Sequence, residues 1–335
     1  MQNVLAVISL KKIISNAEAV CSLAGVPLIA VVKDDAYGHG AERVALALND
    51  KVSAFAVSTV DEGAALRLSG IQKDILVLTP PLCEEEVVRI SEYGLIASLT
   101  SLAVLRLTIK AMRRFSLPLR AHLAVNTGMN RYGFRPERVE KACALSHRAG
   151  IQIEGIYSHF YLPQDENAVS KQRELFDFAC EEAKKIYPNC LRHVSATGGL
   201  LAGVKYDAVR AGISLYGYLP EGAKGELNVE PAMKLYATVA QRGTQLGDGI
   251  GYRAADKNYG KIHTLRLGYG DGFFRAGGLN AVGSLCMDAC VRKGDGVVGA
   301  RRLVLKDVTE YAHLHGTTEY EVLVNVAGKA VKVYV

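Results

Sequence analysis

Pro27-Leu28-Ile29-Ala30-Val31-Val32-Lys33-Asp34-Asp35-Ala36-Tyr37-Gly38-His39-Gly40 is the stretch on which the fold turns. Its first six residues form a short apolar run, which predicts a fully buried strand. The strand delivers one lysine, Lys33, at its carboxyl end, and a turn containing Tyr37, Gly38 and Gly40 follows at once. A lysine whose stem leaves a buried strand is open to desolvation, which lowers its pKa and frees the amine to attack a carbonyl. Most lysines at strand ends are solvated caps, so the surrounding pattern has to decide.

Working outward, the chain alternates strand and helix signals from residue 10 to about 220. Leu10, Ile13, Ile14, Ala17 and Val20 share one helical face, and Gly25 ends it. Beyond the Lys33 strand, further strands are expected at Ala54–Ser58, Ile75–Thr79, Leu95–Leu99, Leu119–Val125, Ile153–Ser158, Leu191–Ser195 and Ala208–Arg210. Helices are expected between them at Ala41–Asn49, Glu62–Leu68, Glu84–Glu92 and Arg138–Ala149. Short apolar strands separated by amphipathic helices indicate a parallel sheet covered on both faces. Eight such units predict an α/β fold, a (β/α)8 TIM-type barrel, rather than an open doubly wound sheet. After Pro231 the helical period fades. Leu235–Ala240, Ile262–Leu267, Val297–Gly299 and Tyr320–Val326 read as strands among glycine-rich turns. The expected organisation is therefore a barrel over 1–228, with residues 1–8 able to pair with the second domain, and a C-terminal mainly-β domain over 229–335.

Composition narrows the classes. A chain of 335 residues suits two domains. A formal charge of +6 spread without a long basic run argues against nucleic acid as a partner. Seven dispersed cysteines argue against a disulfide framework and for a reducing compartment. Cys286 and Cys290 have no further His or Cys cluster nearby, so no metal is expected and they read as packed small hydrophobes. No stretch is long and apolar enough for a membrane span, and the first residues lack a basic n-region and a cleavage site. A cytoplasmic location is the expectation.

Barrel enzymes carry their chemistry at the carboxyl ends of the strands. Lys33 ends the first strand, and Asn126 to Phe134, containing Arg131, follows the fifth. His159 ends the sixth, Ser195-Ala196-Thr197-Gly198-Gly199 follows the seventh, and Val209-Arg210-Ala211-Gly212 ends the eighth. A lone histidine is usually a satisfied core residue, so the shared placement of these groups carries the weight. Phosphate needs backbone N–H groups, hydroxyls or a helix start, and barrels typically place that site after strands seven and eight. Thr197, Gly212 and Ile213 stand there, with Tyr37 as a further phenolic donor.

Several strings in this chain resemble the bacterial alanine racemase family. Lys33 to Gly40 is similar to its K-A-N-A-Y-G-H-G, and Tyr157-Ser158-His159-Phe160 to Y-T-H-F. Val209 to Gly217 is similar to V-R-P-G-I-A-L-Y-G, Leu267 to Gly272 to I-G-Y-A-D-G, and Cys286-Met287-Asp288 to C-M-D. The resemblance implies a pyridoxal 5'-phosphate (PLP) enzyme that interconverts L- and D-alanine for cell-wall peptidoglycan, working as a homodimer with shared active sites. It implies that Lys33 holds PLP as a Schiff base and is the base on one face of the amino-acid substrate. Tyr252, in Gly249-Ile250-Gly251-Tyr252, matches the tyrosine on the opposite face. Arg210 matches the arginine at the pyridine nitrogen, His159 the histidine linked to it, and Arg131 the arginine near the phenolic oxygen and substrate. Tyr269, Met287 and Asp288 match residues that reach across the dimer interface with Tyr252.

The chemistry agrees with these implied roles. A racemase must move the α-proton on both faces, which requires two acid/base groups flanking a planar carbanion. An arginine at the ring nitrogen leaves that nitrogen unprotonated, because a guanidinium does not give up its proton. Three departures keep the substrate open. Ala124 stands where the family commonly has a lysine, often carbamylated, and Asn126 replaces an aspartate, so Arg131 must be held by a different anion or by Asn126. Thr197 replaces a serine of the phosphate string, and Gly328 aligns with a tyrosine, which leaves extra room. Asp34 and Asp35 also replace Ala-Asn, and no physical account of that exchange follows from the sequence. One added or missing group in an apolar pocket is worth only about 1–3 kcal/mol of discrimination, so a serine or broad-specificity racemase stands as the alternative. A PLP decarboxylase would put an acid where Arg210 stands, and a non-catalytic PLP-binding barrel would lack the domain carrying Tyr252.

Overall fold

The computed structural model describes residues 4–223 and 225–335, in two units. One unit contains Ile14–Asp34 and Ala41–Val229. The other contains the chain up to Ile13, the short segment Asp35–Gly40, and Glu230–Val335. The first strand, β1 (Val4–Ile8), belongs to the second unit.

The first unit is the expected α/β barrel. Its strands are β2 (Leu28–Val31), β3 (Ala54–Val57), β4 (Asp74–Val77), β5 (Ile96–Leu99), β6 (Arg120–Ala124), β7 (Gln152–Tyr157), β8 (Leu191–His193) and β9 (Val209–Ala211). They pair in parallel in the order β8-β7-β6-β5-β4-β3-β2-β9. The two ends of that ladder meet where the Arg210 N–H donates to the Ser195 carbonyl at 3.0 Å, which leaves the barrel nearly closed. The all-buried runs of β2 and β5 reflect parallel strands covered on both faces. The intervening helices follow ordinary rules. In Leu102–Phe115, the Ser101 hydroxyl caps the start by accepting from the Val104 N–H, and Val104, Leu105, Thr108, Ala111 and Met112 make the buried face. Ser116, at φ 54°, ends the helix in the left-handed region.

The second unit is built on β10 (Met233–Thr244), a long strand that β1 joins in antiparallel pairing. A short hairpin follows, β11 (Gly249–Ile250) with β12 (Arg253–Ala254). Next come β13 (Lys261–Leu265), β14 (Cys290–Lys293), β15 (Arg301–Leu305) and β16 (Val331–Tyr334). β13 and β15 both pair with β10, β14 pairs with β13, and β16 runs parallel to β1. The Asp35–Gly40 segment is bound into this unit. Asp35 pairs with Lys332 at 2.8 Å, and a Cβ on Gly38 would stand 2.8 Å from the Leu323 carbonyl.

Two expected strands are absent. Tyr320–Val326 lies inside a helix, Glu319–Ala327. Val322, Val324 and Val326 alternate along the chain as they would in a strand. The burial of Val322, Leu323, Val326 and Ala327 instead makes a helical face, and Glu319 and Glu321 suit the start of a helix. Val297–Gly299 is an exposed turn between Gly294 and Gly299, both at positive φ, and the strand begins at Arg301. Among the described residues no helix is long and apolar enough to cross a membrane.

Candidate active site

Lys33 stands two residues beyond the end of β2 and is half-buried. Behind it the backbone takes a left-handed turn: Asp34, Asp35, Ala36 and Tyr37 have φ of 52°, 53°, 54° and 53°. None of the four is glycine, and a left-handed conformation costs an L-residue roughly 1–2 kcal/mol. The first amide of this turn is held from outside. Glu62 Oε1 accepts from the Asp34 N–H at 2.6 Å, while Oε2 accepts from Ser58 and Thr59 N–H at 2.6 and 3.0 Å. Thr59 returns the bond by accepting from the Glu62 N–H, completing a capping box for the helix Val60–Leu68. One carboxylate therefore caps a right-handed helix and fixes the start of the left-handed turn after Lys33. Glu62→Ala should lower stability by about 1–2 kcal/mol through the lost cap. It should also loosen the turn after Lys33, which hydrogen exchange at the Asp34 amide will read; unchanged exchange there would refute that second effect.

Arg210, on the strand next to β2, is 4% exposed and makes no ion pair among the described residues. Its Nη1 donates to His193 Nδ1 (2.6 Å) and the His193 carbonyl (2.9 Å). Nη2 donates to the Ser158 and Val194 carbonyls (2.6 and 2.9 Å) and toward His159 Nδ1 (3.3 Å). The guanidinium also lies 5.5 Å over the Tyr157 ring. Burial draws its pKa down to about 10, which still leaves it charged at neutral pH. Burial, followed by the cations Arg210, Arg131 and Lys33, holds His159 down at about 3. The barrel mouth is thus a convergence of three positive groups around one neutral imidazole.

The loops around that mouth are tied by directed hydrogen bonds. Gln172 Nε2 donates to Thr127 Oγ1 (2.9 Å) and to the His159 carbonyl (3.0 Å). The Thr127 hydroxyl meets Ser158 Oγ at 2.8 Å, and Ser158 Oγ donates to the Val125 carbonyl. Asn126 does not hold Arg131. Its Oδ1 accepts from Gly128 and Asn130 N–H, and its Nδ2 donates to Asn130 Oδ1, so it closes its own loop and leaves Arg131 exposed. Ala124 is buried in β6 and adds no polar group. Thr197 and Ile213 open two short helical turns, Thr197–Leu201 and Ile213–Tyr216, with Gly212 capping the second. Thr197 Oγ1 meets Ser214 Oγ at 2.9 Å, joining the two turns. The first amides of such turns have no carbonyl partner within their own helix, so these starts and hydroxyls fit a phosphate. The cations and donors at this mouth together match an anionic, phosphate-bearing cofactor such as PLP.

The remaining expected residues collect in the second unit. Tyr252 sits in the β11–β12 turn, 71% exposed, with the Arg275 guanidinium 5.8 Å from its ring centroid. Tyr269 N–H donates to the Cys286 carbonyl (3.1 Å) and Gly270 N–H to the Met287 carbonyl (2.7 Å), so Tyr269 and Met287 are pinned side by side. Met287 is 61% exposed, and Asp288 is exposed beside it. Gly251 approaches this loop, since a Cβ there would lie 3.6 Å from Cys286 Sγ. Tyr37 is also bound into the second unit, its ring 6.0 Å from that of Tyr320. Gly328 is an exposed helix end with an ordinary helical φ of −58°.

Residues 8–220 match the family model for the N-terminal domain of alanine racemase. The chain belongs to the alanine racemase family. Full-length relatives carry the match past the barrel. The alanine racemase of Carboxydothermus hydrogenoformans is 32% identical over 373 residues, covering all of both chains. That of Clostridium tetani is 30% identical over 376 residues, covering the whole chain and 96% of the relative. The solved alanine racemase of Clostridium difficile 630 superposes with a TM-score of 0.91 at 27% identity, over all of this chain and 96% of that one. Lys33, Arg131, His159, Thr197, Arg210, Gly212 and Ile213 fall inside the segment that matches the family's N-terminal domain. Tyr252, Tyr269, Met287 and Asp288 fall beyond it, in the part of the chain that the full-length alanine racemases also cover.

Sequence reasoning did not single out Glu62, Gln172, Ser214, His122 or His193. For Glu62 the Thr-x-x-Glu spacing of a capping box was a readable signal. The others act through partners far away in the chain, and one sequence gives no sign of them.

Proposed function

We propose that this chain is a PLP-dependent amino-acid racemase that interconverts L- and D-alanine by a two-base mechanism. The observation that carries the reading is Arg210: a buried cation with only neutral partners, on the strand beside the one that leads to Lys33. Its two terminal nitrogens are occupied by protein acceptors, and Nε remains as the donor for a ligand's ring nitrogen. PLP, when bound, supplies the electron sink that acidifies the substrate Cα–H. Lys33 anchors the cofactor and exchanges the α-proton on one face, and the Tyr252 phenol does so on the other. Arg210 donates a hydrogen bond and keeps its own proton, which keeps the sink weak and favours return of the α-proton over loss of other groups. Thr197, Gly212, Ile213 and Ser214 hold the phosphate, with Tyr37 as a further donor. Arg131 holds the phenolic oxygen and the substrate carboxylate. His159, kept neutral by burial and then by its cationic neighbours, supports Arg210 without adding charge.

The exposure of Tyr252 and Met287 supports a homodimer in which these side chains, with Tyr269 and Asp288, complete the partner's site. In the cytoplasm such an enzyme supplies D-alanine for peptidoglycan. A serine or broad-specificity racemase is the second reading. It is favoured by Ala124 and by an Arg131 that no protein acid holds among the described residues.

Racemisation of L-alanine against L-serine, by wild type and Tyr252→Phe, tests this. Wild type should turn over alanine faster. Tyr252→Phe should lose roughly 10²–10⁴-fold in rate, the usual range for a general acid–base group, with solvent deuterium exchange impaired unequally for the two isomers. A protein that binds PLP and racemises neither amino acid would overturn the reading in favour of a PLP-binding protein.

A further inference from the structure

We propose that His193 and His122 are positioning residues: a buried, uncharged imidazole pair that fixes the orientation of Arg210 and denies it a counter-anion. The inference deepens the racemase reading, since it assigns the support behind the group that would face the cofactor ring.

The geometry fixes the protons. Arg210 Nη1 lies 2.6 Å from His193 Nδ1, and a guanidinium only donates, so His193 Nδ1 carries the lone pair. In a neutral ring the hydrogen then sits on Nε2, which lies 2.9 Å from His122 Nδ1. That atom must accept, which places the hydrogen of His122 on Nε2. Each ring therefore has one determined tautomer, and the direction runs from Arg210 to His193 to His122. A second proton on His193 would set an N–H against the Arg210 N–H, and one on His122 would oppose the His193 N–H. Both rings are accordingly held neutral. Burial and then Arg210 push His193 well below its usual range, and burial holds His122 at about 3.

Packing confirms that the pair is built in. His193 stacks on Tyr157, with centroids 5.2 Å apart and planes 9° from parallel. His122 stands opposite Gly155 in the β6–β7 ladder, directly after a register shift at Ala121/His122. A Cβ on Gly155 would lie 2.7–2.8 Å from three atoms of the His122 ring, so this strand position must be a glycine for the ring to fit. Buried arginines are ordinarily paired with carboxylates. Here the corresponding positions hold imidazoles and carbonyls, and the full positive charge is left to act at the barrel mouth.

The test uses the full-length protein with PLP as the probe. Nitrogen-15 NMR of histidine-labelled wild type should show both rings neutral with hydrogen on Nε2 from pH 8 down to 6, where a free imidazole is already mostly charged. A cationic ring, or hydrogen on His193 Nδ1, overturns the proposal whether or not the protein racemises alanine. Three variants then separate positioning from packing. His193→Gln can still accept from Arg210 and donate onward, so its PLP affinity and visible band should stay near wild type. His193→Leu removes the acceptor, and PLP affinity should fall about ten- to a hundredfold, the range for a lost bond to a charged group, with a shifted band. His193→Glu gives Arg210 a counter-anion and should weaken PLP binding while the protein stays folded. If His193→Leu binds PLP with wild-type affinity and band, the pair is only structural and the proposal fails. These readouts need no turnover, so loss of the racemase reading and loss of this proposal can be told apart.

Discussion

Lys33→Ala is expected to give a folded protein that no longer retains PLP or its visible absorption band and has lost alanine racemisation by at least about 10²–10⁴-fold. Two losses combine in this variant, because the same amine is assigned both the anchoring of the cofactor and proton exchange on one face. The barrel should survive. Lys33 lies beyond the end of β2, half-buried, and its side chain takes part in no hydrogen bond within the described protein. Circular dichroism and thermal unfolding of cofactor-free samples would establish that. PLP titration, followed by an alanine assay at saturating PLP, gives the result. A Lys33→Ala protein that keeps the band has its cofactor bound elsewhere, and the assignment of this mouth as the active site falls with it.

The second large effect is acid lability. Burial holds His122 and His159 near 3 and His193 well below its usual range, all in the barrel unit. Arg210, Arg131 and Lys33 face His159, Arg210 and His122 face His193, and at His122 the upward pull of Asp74 is opposed by Arg120 and Arg210. The sign is that of depressed histidines. In the unfolded chain each takes a proton near pH 6.5, while in the folded barrel it stays neutral, so the stabilising difference is complete above that pH and is lost as pH falls below it, down to about 3 for His122 and His159. Each such ring removes about 1.4 kcal/mol of stability per pH unit within the window, so the three together remove on the order of 4 kcal/mol per unit. Two such units remove about 8 kcal/mol, a large share of a net stability of about 5–15 kcal/mol. Urea unfolding between pH 7 and 4.5 should show this slope, and His122→Asn should flatten it by about 1.4 kcal/mol per unit. A slope that is the same in both proteins would count against a neutral buried His122.

The barrel was legible because its strands are unbroken apolar runs set between helical faces, a pattern that depends on neighbouring residues alone. The gathering of Lys33, His159 and Arg210 at one end of the barrel was legible because each stands at or just beyond the end of a strand. What escaped depends on distant partners. Nothing near His122 announces His193, 71 residues away, nor that Gly155 makes the slot for its ring. The misread helix at Glu319–Ala327 failed for a related reason. Alternating valines favour a strand locally, and only the surface they are buried against makes the other period win. Asn126 was open to a reading as a partner for Arg131 because sequence shows the side chain and hides the loop it closes.

The left-handed turn at Asp34–Tyr37 also bears on how far the setting of Lys33 depends on the rest of the molecule. Four L-residues at positive φ together disfavour the turn by roughly 4–8 kcal/mol, as much as a whole domain's net stability, so an isolated segment would not adopt it. It can persist only once Glu62 is in place on its helix and Lys332 on its strand. Lys33 thus takes its final setting from residues remote in sequence, and a segment cut free of them would leave the backbone that follows it unformed.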